Sequence, residues 1–424
     1  MNDIQIYQCE SQPMNFDLKQ AAKHVVADLR ELAKLTSDAK GAQRVAWTPL
    51  WQKSRDWFAN KAKESGASIE IDSAGNTWAT IKGKSSDAVV VGSHIDCVPN
   101  GGWLDGCLGV VVTLEILRRY GNGGQKPEKT IHAVNWADEE GARFGRSLMG
   151  ASAASGTMDV KELINLVDND GNKIKDVLAK YNVHLDKILN AHREFKKRNA
   201  IAALELHIEQ GPVLENQNKN VACVYGITGV ERHFIKFTGQ AAHAGSFPTE
   251  IRQDAFLTAA KSALAFREIA LKYNGVCTVG KVKVHPDVVT IVPDECVISL
   301  DQRSIDKKLL AKMYKDAQTA TKKFAEKDKV KVEWSKIWTI EPTIFDKKLV
   351  KLCKESVKEE TGEDTTMYSG PLHDIAEMAK IIPSVMMFAM SKRGLSHCKE
   401  EDTPDSKLET SIRAFLRLVN KVVC

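Results

Sequence analysis

A histidine and an aspartate follow an apolar segment in the first quarter of the chain. His94 and Asp96 come directly after Ala88–Gly92, which we predict to be a buried strand. Ligands of open α/β sheets bind at the carboxyl ends of the strands. The spacing would let His94 bind a metal ion while Asp96 orients its ring from behind, so we count Asp96 among the catalytic candidates. This pair predicts a metal site at a strand end.

Two adjacent glutamates, Glu139 and Glu140, end the next apolar strand, Thr130–Ala137. Carboxylates this close together repel each other unless a cation or a proton separates them. One of them can coordinate a metal ion, while its neighbour takes a proton from an attacking water molecule. The pair therefore indicates metal-assisted hydrolysis.

Three more candidate ligands occupy comparable positions. Asp105 lies in a glycine-rich turn, and His207 ends a predicted strand over Ala203–Ile208. His397 follows the predicted strand Ile381–Met390 through a short loop. Each residue alone is more often structural, but strand-end placement of the whole set is hard to obtain by chance. Imidazoles and carboxylates suit zinc, manganese, cobalt or nickel, and we expect two divalent ions per chain.

The order of predicted elements indicates two domains. Strands alternate with helices in residues 1–224 and 335–424, which predicts an α/β sheet buried on both faces. Residues 225–334 instead have the split order of a ferredoxin-like domain, with long helices over Glu250–Tyr273 and Lys307–Lys327. The extended stretches of this middle region are Val221–Thr238, Gly275–His285, Cys296–Arg303 and Lys329–Trp334.

Composition excludes several classes of partner. The net charge of +5 is small for 424 residues, and basic clusters are interleaved with acids, which argues against nucleic-acid binding. No apolar run approaches the about eighteen residues that a membrane span needs. The first fifteen residues lack the basic start and apolar stretch of a secretory signal, so we expect a cytoplasmic protein.

Five segments resemble, in order, the motifs of the amidase/hydantoinase/carbamoylase family, a branch of the dinuclear metallopeptidase and aminoacylase superfamily. They are Gly-Ser-His-Ile-Asp-Cys-Val-Pro-Asn-Gly-Gly-Trp-Leu-Asp-Gly (92–106), Asp-Glu-Glu-Gly-Ala-Arg-Phe-Gly (138–145), Glu-Leu-His-Ile-Glu-Gln-Gly-Pro (205–212), His-Ala-Gly (243–245) and Gly-Leu-Ser-His (394–397). The resemblance spans nearly the whole chain, and the third segment separates this branch from its peptidase relatives. It implies a zinc-peptidase-like catalytic domain with an inserted ferredoxin-like α+β domain that serves as lid and dimerisation surface.

The resemblance also implies how the ligands divide between the two ions. His94 and His207 would hold one metal ion, Glu140 and His397 would hold the other, and Asp105 would bridge them.

Other residues would act on the substrate. Glu139 would be the general base, and Gln210 and Arg303 would contact a small carboxylate substrate, Arg303 as a bidentate clamp. His243 would polarise the scissile carbonyl. In a homodimer it would reach the metal site of the partner chain.

Three positions depart from the family. Ala242 stands where the family usually has Asn before the His-Ala-Gly histidine, and Thr290 stands in place of a substrate-binding Asn. Leu372 replaces a usual glycine in Ser-Gly-Pro-Leu-His-Asp (369–374), and we count Thr290 and Leu372 as substrate-binding candidates. Ureido groups need amide-type partners, so these changes suggest a flatter or more apolar substrate. The alternative, which we favour, is drift in a conventional carbamoylase.

The leading interpretation is a dinuclear hydrolase of a non-peptide C–N bond in an N-carbamoyl amino acid or a related ureido acid. An aminoacylase or dipeptidase, and a hydrolytic deaminase of an aromatic or other unusual amine carboxylate, are the alternatives. A non-catalytic binding homologue is disfavoured, because all five ligand positions and Glu139 are retained.

Overall fold

A computed structural model describes residues 17–121 and 126–424, so the segment searched for a secretory signal lies outside the described residues. The helices are α1 Leu18–Thr36, α2 Pro49–Glu64, α3 Cys107–Tyr120, α4 Met149–Ser155, α5 Ile174–Ala179, α6 Asn190–Lys196, α7 Val213–Asn216, α8 Ala255–Lys272, α9 Lys307–Asp328, α10 Lys347–Thr361, α11 Asp374–Met378 and α12 Asp405–Val423. Within the described residues, none of these helices is long and apolar enough to cross a membrane.

The strands are β1 Ser37–Asp38, β2 Gly41–Ala42, β3 Ser68–Ile71, β4 Thr77–Ile81, β5 Ser85–His94, β6 Lys129–Trp136, β7 Ala200–Ile208, β8 Val221–Ile227, β9 Gly229–Thr238, β10 Ala242–His243, β11 Val276–Thr278, β12 Val282–His285, β13 Ile291–Val292, β14 Glu295–Ser304, β15 Lys331–Ile340, β16 Thr343–Ile344, β17 Thr366–Ser369 and β18 Ser384–Ala389. The chain divides into two compact units. Unit 1 comprises the described residues up to Tyr225, Phe345–Met367 and Leu372–Cys424, and unit 2 comprises Gly226–Ile344 and Tyr368–Pro371.

Unit 1 contains a mixed sheet in the order β8-β18-β7-β5-β6-β4-β3. Its inner strands β18, β7, β5 and β6 run parallel, and antiparallel strands flank them on both sides. Every residue of β6 and of β18 is buried, because helices cover both faces of the sheet as the apolar runs predict. The carboxyl ends of the four parallel strands consequently lie along one edge.

The strand that precedes the first candidate ligands is longer than its sequence predicts. β5 begins at Ser85 and ends at His94, because its ladder with β6 continues through Ser93–Asn135 and His94–Trp136. His94 is therefore the last residue of the strand and does not lie in the loop beyond it.

Unit 2 is an antiparallel sheet in the order β11-β14-β9-β15, with β12 also paired to β14. Helices α8 and α9 pack on the sheet, and the core includes Phe237, Phe266 and Leu300. The chain order of strands and helices is the split arrangement that the sequence predicts for this region.

Several boundaries in this region differ from prediction; the stretch Gly275–His285, for example, is two separate strands, β11 and β12. The stretch Val221–Thr238 is two strands that separate at Thr228. Helix α8 begins at Ala255, because the side chain of Asp254 caps it by accepting the N–H of Leu257. Strand β15 continues past Trp334 to Ile340, because a bulge lets it keep pairing with β9.

Most of unit 2, Gly226–Ile344, is one insertion into unit 1, and the short segment Tyr368–Pro371 joins unit 2 separately. The chain leaves unit 1 after Tyr225 and returns at Phe345. The N–H of Phe345 donates to the carbonyl of Tyr225 at 3.0 Å, so the two ends of unit 1 at the insertion are hydrogen-bonded neighbours.

Candidate metal centre

The two carboxylate oxygens of Asp105 face different histidines. Oδ1 lies 3.2 Å from Nε2 of His207, which projects from the end of β7. Oδ2 lies 3.1 Å from Nε2 of His397, in the loop after β18. One side chain therefore has an oxygen available to each of two neighbouring ligand clusters, which is the geometry of a bridging carboxylate.

Among the described residues, three clusters have donor atoms close enough to share an ion, and two of them contain Asp105. The first is His94, Asp105 and His207, all buried, and the second is Asp105, Glu140 and His397. In each cluster the ligand atoms lie within 4.8 Å of one another. In the second, Oε1 of Glu140 is 3.3 Å from Nε2 of His397. The structure thus brings together all five residues that the sequence singled out as ligands.

Asp96 does not hold His94 in the expected way. Nδ1 of His94 is 3.0 Å from the backbone carbonyl of Asp96 and 3.8 Å from its carboxylate. The carboxylate instead accepts the backbone N–H groups of Glu139 at 3.3 Å and of Glu140 at 3.2 Å. The loop turns the carboxylate of Asp96 toward Glu139 and Glu140, where it supports their backbone. The ring of His94 is oriented by the backbone carbonyl of Asp96 instead.

Many carboxyl groups are buried together here. Burial raises the pKa of Glu139 well above its ordinary value, and the nearby Glu140 and Asp374 raise it further. Burial, followed by Asp105, raises the pKa of Glu140 to about 9. The ionised forms of these neighbouring carboxylates repel one another unless a cation lies between them. The donor set therefore fits bound cations.

Unsatisfied polar atoms point to the same conclusion. Among the described residues, Nε2 of His207 and Oε1 of Glu140 are buried, and although Asp105 and His397 lie 3.2 and 3.3 Å away, neither atom makes a hydrogen bond of good geometry. Buried polar atoms are nearly always satisfied, so two orphans in the two clusters are explained by a missing partner such as a metal ion. The residues present therefore fit a pair of divalent ions.

Three residues around the site have positive φ angles without being glycine. Asp138, Gln210 and His397 each have φ of 57°. Such backbone conformations cost about 1–3 kcal/mol each and cluster at functional sites. The loops after the parallel strands are thus held in a particular, strained arrangement.

Gln210 is directed at the clusters. Its Nε2 lies 3.1 Å from Oδ2 of Asp105 and 3.2 Å from both Ser396 Oγ and Nε2 of His397. Leu372 is half-buried in the segment before α11. Both belong to unit 1 with the ligands.

The remaining substrate candidates belong to unit 2. Strand β10, with His243, pairs with β13, and the N–H of Ala244 donates to the carbonyl of Thr290 at 2.9 Å. His243 and Thr290 are therefore neighbours, and both are exposed. Nδ1 of His243 accepts the N–H groups of Gly245 and Ser246 at 3.1 and 3.2 Å. Nδ1 is thereby occupied as an acceptor, which leaves Nε2–H as the donor that the ring can offer.

Arg303 is held by a neighbouring acid. Its Nε donates to Oδ1 of Asp301 at 2.9 Å and its Nη2 donates to Oδ2 of Asp301 at 3.3 Å, while Nη1 donates to the carbonyl of Gly370 at 2.9 Å. Arg232 donates to Oδ2 of Asp301 at 2.6 and 2.9 Å. The guanidinium of Arg303 is therefore oriented in advance, and part of its fork is already engaged.

Several buried residues beside the clusters were not predicted. The ring of His373 lies 4.4 Å from that of His207, centroid to centroid, and both could share an ion with Glu205. Both carboxylate oxygens of Asp374 are buried without a hydrogen bond to any described residue. His373 and Asp374 could have been predicted from their adjacent positions in the segment 369–374. For Glu205, the sequence offered only its position two residues before His207.

Fold and site together define a metallopeptidase-like class of two-unit hydrolases, and comparison with known proteins agrees. Residues 90–421 match peptidase family M20/M25/M40, and the chain belongs to that family. It is 30% identical to an N-carbamoyl-L-amino acid amidohydrolase of Geobacillus stearothermophilus, covering 88% of this chain and 91% of the relative. It is also 30% identical to a ureidoglycolate hydrolase of Arabidopsis thaliana, covering 88% and 80%.

A solved structure extends this similarity to the fold. An amidase of the hydantoinase/carbamoylase family from Burkholderia multivorans matches with a TM-score of 0.85 at 29% identity, covering 95% of this chain and 98% of that one. The family resemblance and the predicted fold class are thereby confirmed.

Proposed function

We propose that this protein is a two-metal hydrolase that cleaves a non-peptide C–N bond in an N-carbamoyl amino acid or a related ureido acid. The observation that carries the proposal is the placement of the two oxygens of Asp105, one toward His207 and one toward His397. His94 and His207 would hold one ion, and Glu140 and His397 would hold the other. Zinc, manganese, cobalt and nickel all suit this donor set.

The chain's own groups have separate tasks in this reaction. Divalent ions, when bound, would lower the pKa of a water molecule and polarise the scissile carbonyl. Glu139 is the general base, because its carboxylate is buried beside the first cluster, with Oε2 3.8 Å from Nε2 of His94. It would accept a proton from the attacking water and then pass it to the departing nitrogen.

Three polar side chains would recognise the substrate. Arg303 binds the substrate carboxylate with the N–H groups that Asp301 and Gly370 leave unused. Gln210 contributes its amide at the edge of the clusters. The Nε2–H of His243 donates to the scissile carbonyl and stabilises the tetrahedral intermediate.

We further propose that the active form is a homodimer in which unit 2 provides the contact and His243 acts on the partner's clusters. Support comes from α8, where Leu257, Leu264 and Leu271 are 46%, 70% and 60% exposed. Their seven-residue spacing places them on one side of the helix. A symmetric pair of such helices would cover this apolar stripe.

A panel of substrates tests the reaction. The protein, loaded with each metal in turn, is offered carbamoyl amino acids, ureidoglycolate, acyl amino acids, dipeptides and arylamine carboxylates. We expect turnover of a ureido acid to exceed that of the acyl and arylamine compounds. Preference for an acyl amino acid would mean an aminoacylase. Ammonia release from an arylamine would mean that Ala242, Thr290 and Leu372 mark a deaminase.

A further inference from the structure

One buried carboxylate connects the loops that carry Asp105 and His397. Glu401 is 1% exposed. Its Oε1 accepts the backbone N–H groups of Leu104 at 2.9 Å and of Asp105 at 3.0 Å. Its Oε2 accepts the hydroxyl of Ser396 at 2.7 Å. Since Ser396 directly precedes His397, the carboxylate of Glu401 connects the loops of two candidate ligands that are almost three hundred residues apart. We call this set of hydrogen bonds from Leu104, Asp105 and Ser396 to Glu401 the tie.

The turn before Asp105 is shaped around this carboxylate. A Cβ added at Gly102 would lie 2.0 Å from Oε1 of Glu401, so only glycine leaves room for the acid at that distance. The fully buried Arg44 supports the same turn from another direction, because its Nη2 donates to the carbonyl of Gly102 at 3.2 Å. The tie is therefore a packed feature of unit 1.

The two metal clusters depend on this tie to different degrees. The rings of His94 and His207 are held by backbone carbonyls, those of Asp96 at 3.0 Å and Ile208 at 2.9 Å. His397 has no such support from a carbonyl among the described residues, and 47% of its side chain is exposed. Its loop is fixed through Ser396 and Glu401.

We infer that Glu401 is a positioning residue that, through Ser396, sets the metal affinity of the Asp105–Glu140–His397 cluster. This inference rests on the proposed two-metal function. A Gln at position 401 still offers its carbonyl oxygen to the N–H groups of Leu104 and Asp105. Its NH2 group, however, cannot accept the Ser396 hydroxyl and can only donate to Ser396 Oγ, so a charge-assisted bond is replaced by a weaker neutral one and the His397 loop is loosened selectively.

The test is a Co²⁺ titration of the metal-free protein, followed by visible absorption and calorimetry. Wild type should show two binding events. In Glu401→Gln we expect one dissociation constant to rise by about 10- to 100-fold, the usual effect of removing support behind a ligand, while the other changes less than about threefold. Ser396→Ala should weaken the same event, and the double variant should be no worse than the weaker single variant, because both break one tie.

Two further variants make the outcome decisive. Glu400→Gln is the matched control, because Glu400 is next in sequence and its ion pair within residues 17–121 and 126–424 is with the exposed Lys399, at 4.0 Å. In a His397→Ala background, Glu401→Gln should leave the remaining binding event unchanged. Unchanged affinities in Glu401→Gln, or an equal loss at both events together with a lower melting temperature, would overturn the positioning role. Fewer than two binding events in wild type would instead overturn the two-metal function.

Discussion

Oδ1 of Asp96 accepts the backbone N–H of Glu139 at 3.3 Å, and its second oxygen holds the next N–H along the chain. The loop after β5 thereby fixes the main chain of the loop after β6. Because these bonds engage only the backbone, the carboxylates of Glu139 and Glu140 are free for different tasks. Their separation of roles is open to experiment.

Glu139→Gln removes a base without removing a ligand. We expect metal stoichiometry to stay at the wild-type value while kcat falls by at least about two orders of magnitude. Glu140→Gln should first lose affinity for one ion, since Oε1 of Glu140 belongs to the second cluster. Elemental analysis with steady-state kinetics distinguishes the two variants. Equal metal loss in both would mean that the roles are assigned wrongly.

Asp105→Ala should abolish binding of both ions and all activity, because each oxygen of Asp105 faces one cluster. Elemental analysis after gel filtration measures the bound metal. Asp87→Ala, an exposed change near the start of β5, is the control for handling losses. An active Asp105→Ala protein with full metal content is incompatible with a bridging carboxylate.

The sequence predicts which candidate ligands lie together at the strand ends, and it does not predict which residues support them. Apolar runs with polar ends predict parallel strands, and parallel strands place His94, Glu140 and His207 at one edge. Whether the carbonyl or the carboxylate of Asp96 faces His94 depends on loop torsions that no periodicity encodes. Glu401 follows His397 in an irregular loop, so its contact with the turn at Asp105 was not visible in the sequence.

Substrate recognition by Arg303 gives a third expectation. Replacing the substrate carboxylate by an amide should cost about 2–4 kcal/mol in transition-state binding, because a charge-assisted pair is lost. Arg303→Lys should show nearly the same loss with the acid, since an ammonium group cannot make two parallel bonds. The measurement is kcat/KM for both substrates, with the exposed Arg193→Lys as control. Equal turnover of acid and amide would refute the clamp.

Mixed dimers test whether His243 acts on the partner subunit. Glu139→Gln and His243→Ala are each expected to be inactive, and they are mixed under conditions that exchange subunits. If His243 acts in trans, each mixed dimer has one intact site, and up to about half of wild-type activity per mixed dimer should return. Labelled subunits verify the exchange. If subunits exchange and the mixture stays inactive, His243 does not act on the partner's active site.

Metal affinity should depend on pH. Burial lowers the pKa of His207, but its contact with Asp105 outweighs this and raises the pKa to about 9. The hydrogen bond with Asp105 likewise raises the pKa of His397 to about 9. Both rings are then protonated in the metal-free protein near pH 7, and an incoming ion must displace their protons. Affinity should rise with pH up to about 9 and level off above it.

Calorimetry in buffers of different ionisation enthalpy measures the protons released. The number of protons released per bound ion should be largest near neutral pH. It should decline as the pH passes the raised pKa of His207 and His397, about 9. Affinity that does not vary between about pH 7 and 9 would show that these rings bind metal without losing protons.

The hydrogen bond between Tyr225 and Phe345 bears on protein engineering. An insertion whose two ends are adjacent disturbs its host little, because the host needs no long detour to close. The segment Gly226–Ile344 can therefore be replaced as a module. Because the proposed acid-binding Arg303 lies in this segment and the candidate metal ligands lie in unit 1, swapping the segment among relatives is a rational route to new specificities.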